Sequence, residues 1–266
     1  KAIRRQRQMC IRDRGYAAQE QLVGGVETLF KTSSDTVVGY ANDAYKTAGM
    51  SANEYMETVT SFSASLLASM NNDTAAAAEK ANVAITDMSD NANKMGTDIS
   101  LIQNAYNGFA KQNYTMLDNL KLGYGGTKEE MQRLLDDASK LSGIKYDISS
   151  YSDVVDAIHV VQTEMGITGT TAKEASTTIE GSVSSMSSAW DNWVAGMADS
   201  EANFSQLTSN LVDSIVTVVG NIAPRVIETV PRLVSGLGEI VEQLATYIPQ
   251  VIQELLPPLM SGVQDL

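Results

Sequence analysis

Apolar positions recur at three- and four-residue steps along most of the chain, the period of helices that each bury one side, and no convincing strand pattern competes with them. Leu22, Val23, Val26, Leu29 and Phe30 predict a weak helix within residues 15–39, with a loop at Thr32-Ser33-Ser34-Asp35. Ser51 and Glu54 have the spacing of a capping box. The helix behind them places Tyr55, Met56, Val59, Phe62, Leu66, Leu67 and Met70 on one side. Asn72-Asp73-Thr74 opens the next helix, which starts on the strong helix formers of residues 75–78. The pattern carries it to about residue 108, ~35 residues and ~50 Å long. Its stripe of Val83, Ile85, Met88, Met95, Ile99 and Ile102 is sparse, and Asp87, Asp90, Asn91, Asn93 and Lys94 are expected to face out. Such a helix needs neighbours to be stable.

A helical pattern through Tyr106, Phe109, Tyr114, Met116, Leu117, Leu120 and Leu122 meets a break at Gly123-Tyr124-Gly125-Gly126. Thr127 and Glu130 read as a second capping box, with Met131, Leu134 and Leu135 behind it. Ser142-Gly143 ends that helix, and residues 144–148 read as a brief extended or turn segment. Ser152-Asp153 is expected to cap a helix that turns Val154, Val155, Ile158, Val161 and Met165 inward. Residues 166–169 break it. Thr171 and Glu174 form a third box. One helical stripe should then run through Ile179, Val183, Met186, Trp190, Trp193, Val194 and Met197.

Residues 207–222 are β-branched-rich, and Pro224 suits a first helical position. Val226, Val230, Leu233, Leu237, Ile240, Leu244, Tyr247 and Val251 follow at heptad spacing, a candidate stripe for self-association or membrane contact. Pro231, Gly236, Gly238, Pro249 and Pro257-Pro258 divide this region into short apolar amphipathic helices. The predicted fold is all-α: segmented amphipathic helices joined by short Gly/Ser/Thr loops, partly extended, with Pro/Gly-broken helices at the C-terminal end. It divides into residues 1–14, 15–145, 146–200 and 201–266.

Composition narrows the chemistry. Hydrophobic residues make up 43% of the chain but aromatic ones only 6%, which suits shallow helix faces. One cysteine, Cys10, excludes a disulfide framework within the chain, and one histidine, His159, argues against a histidine-based catalytic or zinc cluster. His159 reads as a partly buried structural residue. Net charge is −13, yet residues 1–14 hold six basic side chains and one acidic. The other residues carry 13 basic against 31 acidic, a net of −18, which repels nucleic acid and anionic lipid. MCIRDR in residues 1–14 resembles translated sequencing-adapter read-through. That segment is therefore expected to be non-native. The start at Lys1 and the end in mid-pattern suggest a piece of a longer protein.

Gly123-Tyr124-Gly125-Gly126-Thr127-Lys128 lacks the Gly-Lys-Ser/Thr order and the preceding strand of a phosphate loop. The pairs Glu129/Glu130, Asp136/Asp137 and Asp153/Asp156 fall on polar helix faces and read as solvated charges and helix-start partners rather than acid–base dyads. Trp190 and Trp193 are read as packing in a helical bundle, with a membrane interface as the other reading. Asp213, Arg225, Glu228 and Arg232 punctuate the apolar tail, so a simple transmembrane helix is disfavoured. No catalytic, cofactor or metal residues are assigned.

Four phrases carry a resemblance: NAYNGFAKQNYTMLDNLKLGYGGTKEEMQRLLDDA (residues 104–138), AYKTAGMSANEYMETVTSFSASLLASM (44–70), YDISSYSDVVDAIHVVQTEMGITGTTAKEA (146–175) and SAWDNWVAGMAD (188–199). They resemble tape measure proteins of long-tailed bacteriophages and prophages. That resemblance implies a non-enzymatic virion protein, a helical homo-oligomer in the tail tube lumen. It would set tail length during assembly in the host cytoplasm and leave at infection to help DNA across the envelope. The partners it implies are the tail tube protein, tail assembly chaperones and a host membrane. No cofactor is implied, and no nucleic-acid binding is expected of the acidic body. A membrane-active helical protein, such as a pore-former or secreted toxin, is the alternative, and a tail-associated cell-wall hydrolase a further one.

Overall fold

The structure is a computed structural model that describes residues 19–197 and 202–236, with side chains given to residue 228. It is all-α: helices and two short 3-10 turns joined by short loops, with no strand among the described residues. We number the helices α1 (residues 19–30), α2 (Ser34–Thr47), α3 (Ala52–Ser69), α4 (Thr74–Met95), α5 (Ile99–Phe109), α6 (Lys128–Ser142), α7 (Tyr151–Glu164), α8 (Thr170–Thr177), α9 (Ile179–Gly196) and α10 (Phe204–Gly236). Residues 1–14, expected to be non-native, lie outside the described residues.

One apolar core runs from Val26 in α1 to Ile167 after α7. It is built from the faces the period marked: Phe30, Val59, Phe62, Leu66, Ile85, Met88, Leu134, Leu135, Val155 and Ile158 are all essentially inaccessible. α4 lies at its centre, against α2, α3, α5, α7 and α8. Ala77, Ala78, Ala81 and Ala84 are fully buried and let neighbouring backbones approach closely. A smaller cluster joins Tyr45 of α2, Ala189 of α9 and Leu211 of α10. One compact unit ends at Val218 and a second begins at Val219.

Several elements depart from the pattern. The expected loop at residues 32–35 is a 3-10 turn leading into α2, whose small buried residues Val37, Ala41 and Ala44 gave little apolar signal. The helix expected to reach residue 108 stops at Met95. Gly96 caps it at φ 61°, and Asp98 starts α5 by accepting from the Ser100 amide. The helical run into the Gly-rich joint also fails. α5 ends at Phe109, and Tyr114, Leu117, Leu120 and Leu122 reach the core from turns, while Met116 is 41% exposed.

The Ser51 box forms in full. At Thr127 only half of it does: the hydroxyl accepts from the Glu130 amide, but the Glu130 carboxylate turns to the Gly125 amide and Arg133. A Cβ at Gly126 would run into the carbonyl of Thr115, so this joint needs glycine for closeness. Ser150, not Ser152-Asp153, caps α7. The single helix expected after Thr171 is two helices, because extended Thr178 ends α8 and caps α9 through the Gly181 amide. Here too a Cβ, on Gly181, would strike the Glu174 backbone.

α10 runs unbroken through Pro224 and Pro231 to Gly236. Pro224 leaves the carbonyl four residues earlier without its usual donor, and that residue is Gly220, which has open space around it. The breaks expected at Gly238, Pro249 and Pro257-Pro258 lie outside the described residues.

Candidate functional site

The middle of α4 presents Asp87, Asp90 and Asn91, which sequence reasoning turned to solvent. All three are buried, with exposures of 1%, 0% and 0%. Each is spent on a different neighbour. Asp87 meets Nδ1 of His159 on α7 at 2.9 Å. The Asn91 amide donates to the Leu120 carbonyl at 3.0 Å and anchors the turn before the Gly-rich joint. Asp90 accepts from the amides of Gly169 (2.6 Å) and Thr171 (2.8 Å), and its own carbonyl accepts from the Thr170 hydroxyl.

Asp90 thus caps α8 from some 80 residues away in sequence. It replaces the third capping box, whose Thr171 hydroxyl bonds nothing. A carboxylate at a helix N-terminus satisfies orphan N–H groups and complements the helix dipole.

His159 is half-exposed, and its one buried contact sets its chemistry. The hydrogen bond that Nδ1 donates to the Asp87 carboxylate holds its pKa above the usual 6.5. Burial pushes the Asp87 carboxyl up, with His159 opposing. Asp156 and Lys80 pair beside them. Tyr106 lies near Asp87, with Tyr151 beside Tyr106, and burial raises both phenols. The Asp87–His159 pair thus joins a buried carboxylate on α4 to a partly exposed imidazole on α7.

A cleft of about 610 Å³ opens on another side of α4. Its walls come from α3, α5, α8 and α9 with the connection after α2. Glu54, Glu57, Glu174 and Glu180 line it, Met50 and Ile99 add apolar wall, and no lysine, arginine or histidine contributes. Among the described residues no group of three or more His, Cys, Asp and Glu is arranged to hold a metal ion.

The stripe expected to pack α9 does so only in part: Met186 and Trp193 pack against the cluster of Tyr45, Ala189 and Leu211, while its other edge faces out. Ile179, Val183, Trp190 and Met197 are 39%, 40%, 52% and 46% exposed. The buried face is small and polar: Ser182, Ser185, Ser188, Ala189, Asn192 and Gly196. Those short side chains bring α9 against the start of α3, where Asn192 accepts from the Ala52 amide (2.7 Å) and Ser188 donates to the Gly49 carbonyl (3.2 Å). Trp193 stacks on Trp190 and Phe204 and donates to Thr208.

On α10, Val212, Ile215, Val216, Val219, Val226 and Ile227 are exposed. Of the predicted heptad stripe, Val226 is 49% exposed, and Val230 and Leu233 lie on α10 in the part without described side chains. Leu237, Ile240, Leu244, Tyr247 and Val251 lie outside the described residues. Residues Phe204–Glu228 form one helix long and apolar enough to cross a membrane, with mean hydropathy 1.2 in its most apolar window. No protein family, no curated protein sequence and no solved structure matches the chain.

Proposed function

We propose that the chain is a folded helical module of a phage tail tape measure protein, a non-enzymatic component of the tail tube lumen. The observation that carries this reading is the phrase-level resemblance over residues 44–70, 104–138, 146–175 and 188–199. Two features support it. The described residues form successive amphipathic helices around one apolar core, joined by capped turns, as a segmented helical protein would. The apolar stripes of α9 and α10 also leave lateral faces for further copies or for other tail components. With α4 enclosed by its neighbours, residues 74–95 serve as the core of a module, and any ruler function belongs to helix elsewhere in the parent protein. In-frame deletion of residues 74–95 should therefore abolish or cripple tail assembly by unfolding the module. Viable phage with tails shortened in proportion to the deletion would contradict it.

A membrane-active role is favoured by one specific observation, the exposed apolar helix Phe204–Glu228. In the tape measure reading that helix inserts only at infection. Vesicle leakage by the full chain without other tail components would instead favour a free-standing membrane-active protein.

A further inference from the structure

Apolar side chains that the core leaves exposed gather along the seam between α9 and α10. Ile179, Val183, Trp190 and Met197 form the outer edge of one helical row on α9. On α10, Phe204, Thr208, Val212 and Ile215 follow one another at steps of four, four and three, and the three apolar members are exposed. Three contacts set the rows side by side. Trp193 stacks on Phe204, with ring centroids 5.4 Å apart, and donates to the Thr208 hydroxyl at 3.1 Å. Gly196 lies so close to Leu207 that a Cβ there would strike it. Ala189 and Leu211 are buried together. The helices therefore run antiparallel, with an apolar seam open between their rows.

We propose that this seam docks an amphipathic helix of a partner protein, one whose apolar face is flanked by lysine or arginine. A helix laid in a groove is a standard mode of recognition, and tryptophan is a favoured anchor for it. Charge selects the occupant. Glu180 and Asp191 on α9 and Asp213 on α10 are exposed, and neither helix carries a basic side chain up to Val218. Lys46 of α2, near Asp213, is already held by Asp43 at 2.8 Å. Burial and the neighbouring Glu54 hold the Asp191 carboxyl above its usual range, a condition that an incoming cation relieves. A second copy would bring the same acidic edges on a chain of net charge −13, and anionic lipid would be repelled as well. The proposal goes beyond the tape measure reading and does not rest on it.

The probe is a Leu/Lys amphipathic helical peptide of about 18 residues, the length of α9. It is titrated into the full chain at about 150 mM salt beside its Leu/Glu counterpart and a scrambled Leu/Lys sequence. Calorimetry should give one saturable site, and the emission of the chain's two tryptophans should shift to the blue. The Leu/Glu and scrambled peptides should bind at least about tenfold more weakly. Val183→Ser/Val212→Ser should weaken the Leu/Lys peptide at least about tenfold, and Glu180→Gln/Asp191→Asn about threefold. The remote pair Glu129→Gln/Asp136→Asn on α6 should change nothing, with circular dichroism confirming that every variant folds. Equal binding of the scrambled peptide, or equal weakening by the remote pair, would reduce the effect to diffuse attraction and overturn the proposal. Equal binding of the Leu/Glu peptide would remove the charge selection and overturn it too. So would self-association of the chain alone that Val183→Ser/Val212→Ser abolishes, which makes a second copy the occupant, or tighter binding to phosphatidylcholine vesicles than to the peptide, which makes it a lipid surface.

Discussion

Replacing Asp90 with alanine removes the acceptor that α4 offers to the start of α8. Two amide donors, from Gly169 and Thr171, lose a carboxylate at 2.6 and 2.8 Å. Hydrogen bonds to charged groups contribute about 1.5–3 kcal/mol each, and the site is fully buried, so water replaces them poorly. The expected loss is about 3–5 kcal/mol of unfolding free energy. Asp90→Asn keeps one acceptor but sets its NH₂ against the other donor, for a loss of about 2 kcal/mol. In a unit of this size the alanine change corresponds to a fall in Tm of about 6–20 °C. Urea denaturation followed by circular dichroism gives the free energy, and amide exchange should show Gly169 and Thr171 losing protection first. A loss below about 1 kcal/mol for Asp90→Ala would refute the capping assignment.

Three further outcomes follow from other contacts. His159 has a folded pKa above its unfolded 6.5 because Asp87 binds it, so its stabilising contribution is present below that value and fades as pH rises through the folded one. The urea midpoint should fall as pH rises past about 6.5 in the native chain and stay flat over the same range in the double variant Asp87→Asn/His159→Gln, which removes both titrating groups; equal slopes would remove the ion pair from the account. Gly126→Ala and Gly181→Ala should each cost about 2–4 kcal/mol, because each new Cβ meets backbone. Gly39→Ala, inside α2 with open space around it, should stabilise by about 0.5–1 kcal/mol in the same thermal melts. Trp190→Ser, which loses the ring contact with Trp193, should lower the unfolding free energy by only about 0.5–1.5 kcal/mol while lowering any self-association seen by sedimentation, whereas Ser185→Leu, on the buried face of α9, should cost about 1–3 kcal/mol.

Where a helix buries a wide apolar face, the chain declared it. α3, α6 and α7 follow from the spacing of their leucines, valines and aromatics, and Ser51 with Glu54 announced its own cap. The reading failed where small or polar side chains do the packing. Ala41 and Ala44 are too weakly apolar to mark α2. The serines of α9 lie against α3 because they are small, while a hydrophobicity argument turns Ile179 and Trp190 inward. Asp87, Asp90 and Asn91 looked solvated because each finds its partner 29 to 81 residues away in sequence. Local periodicity carries no trace of such pairings. The four glutamates of the cleft were equally hidden, since they come from three helices that only the folded chain brings together.

The tape measure reading is tested most directly by locating the chain in intact particles. Immunogold labelling of purified virions after mild opening of the tail, with quantitative mass spectrometry of the same particles, should find the chain inside tail tubes at a fixed copy number per particle, and absent from tubes that have ejected their DNA. Purified tails with no copies of the chain, while the producing cells hold it in a secreted or membrane fraction, would contradict the account.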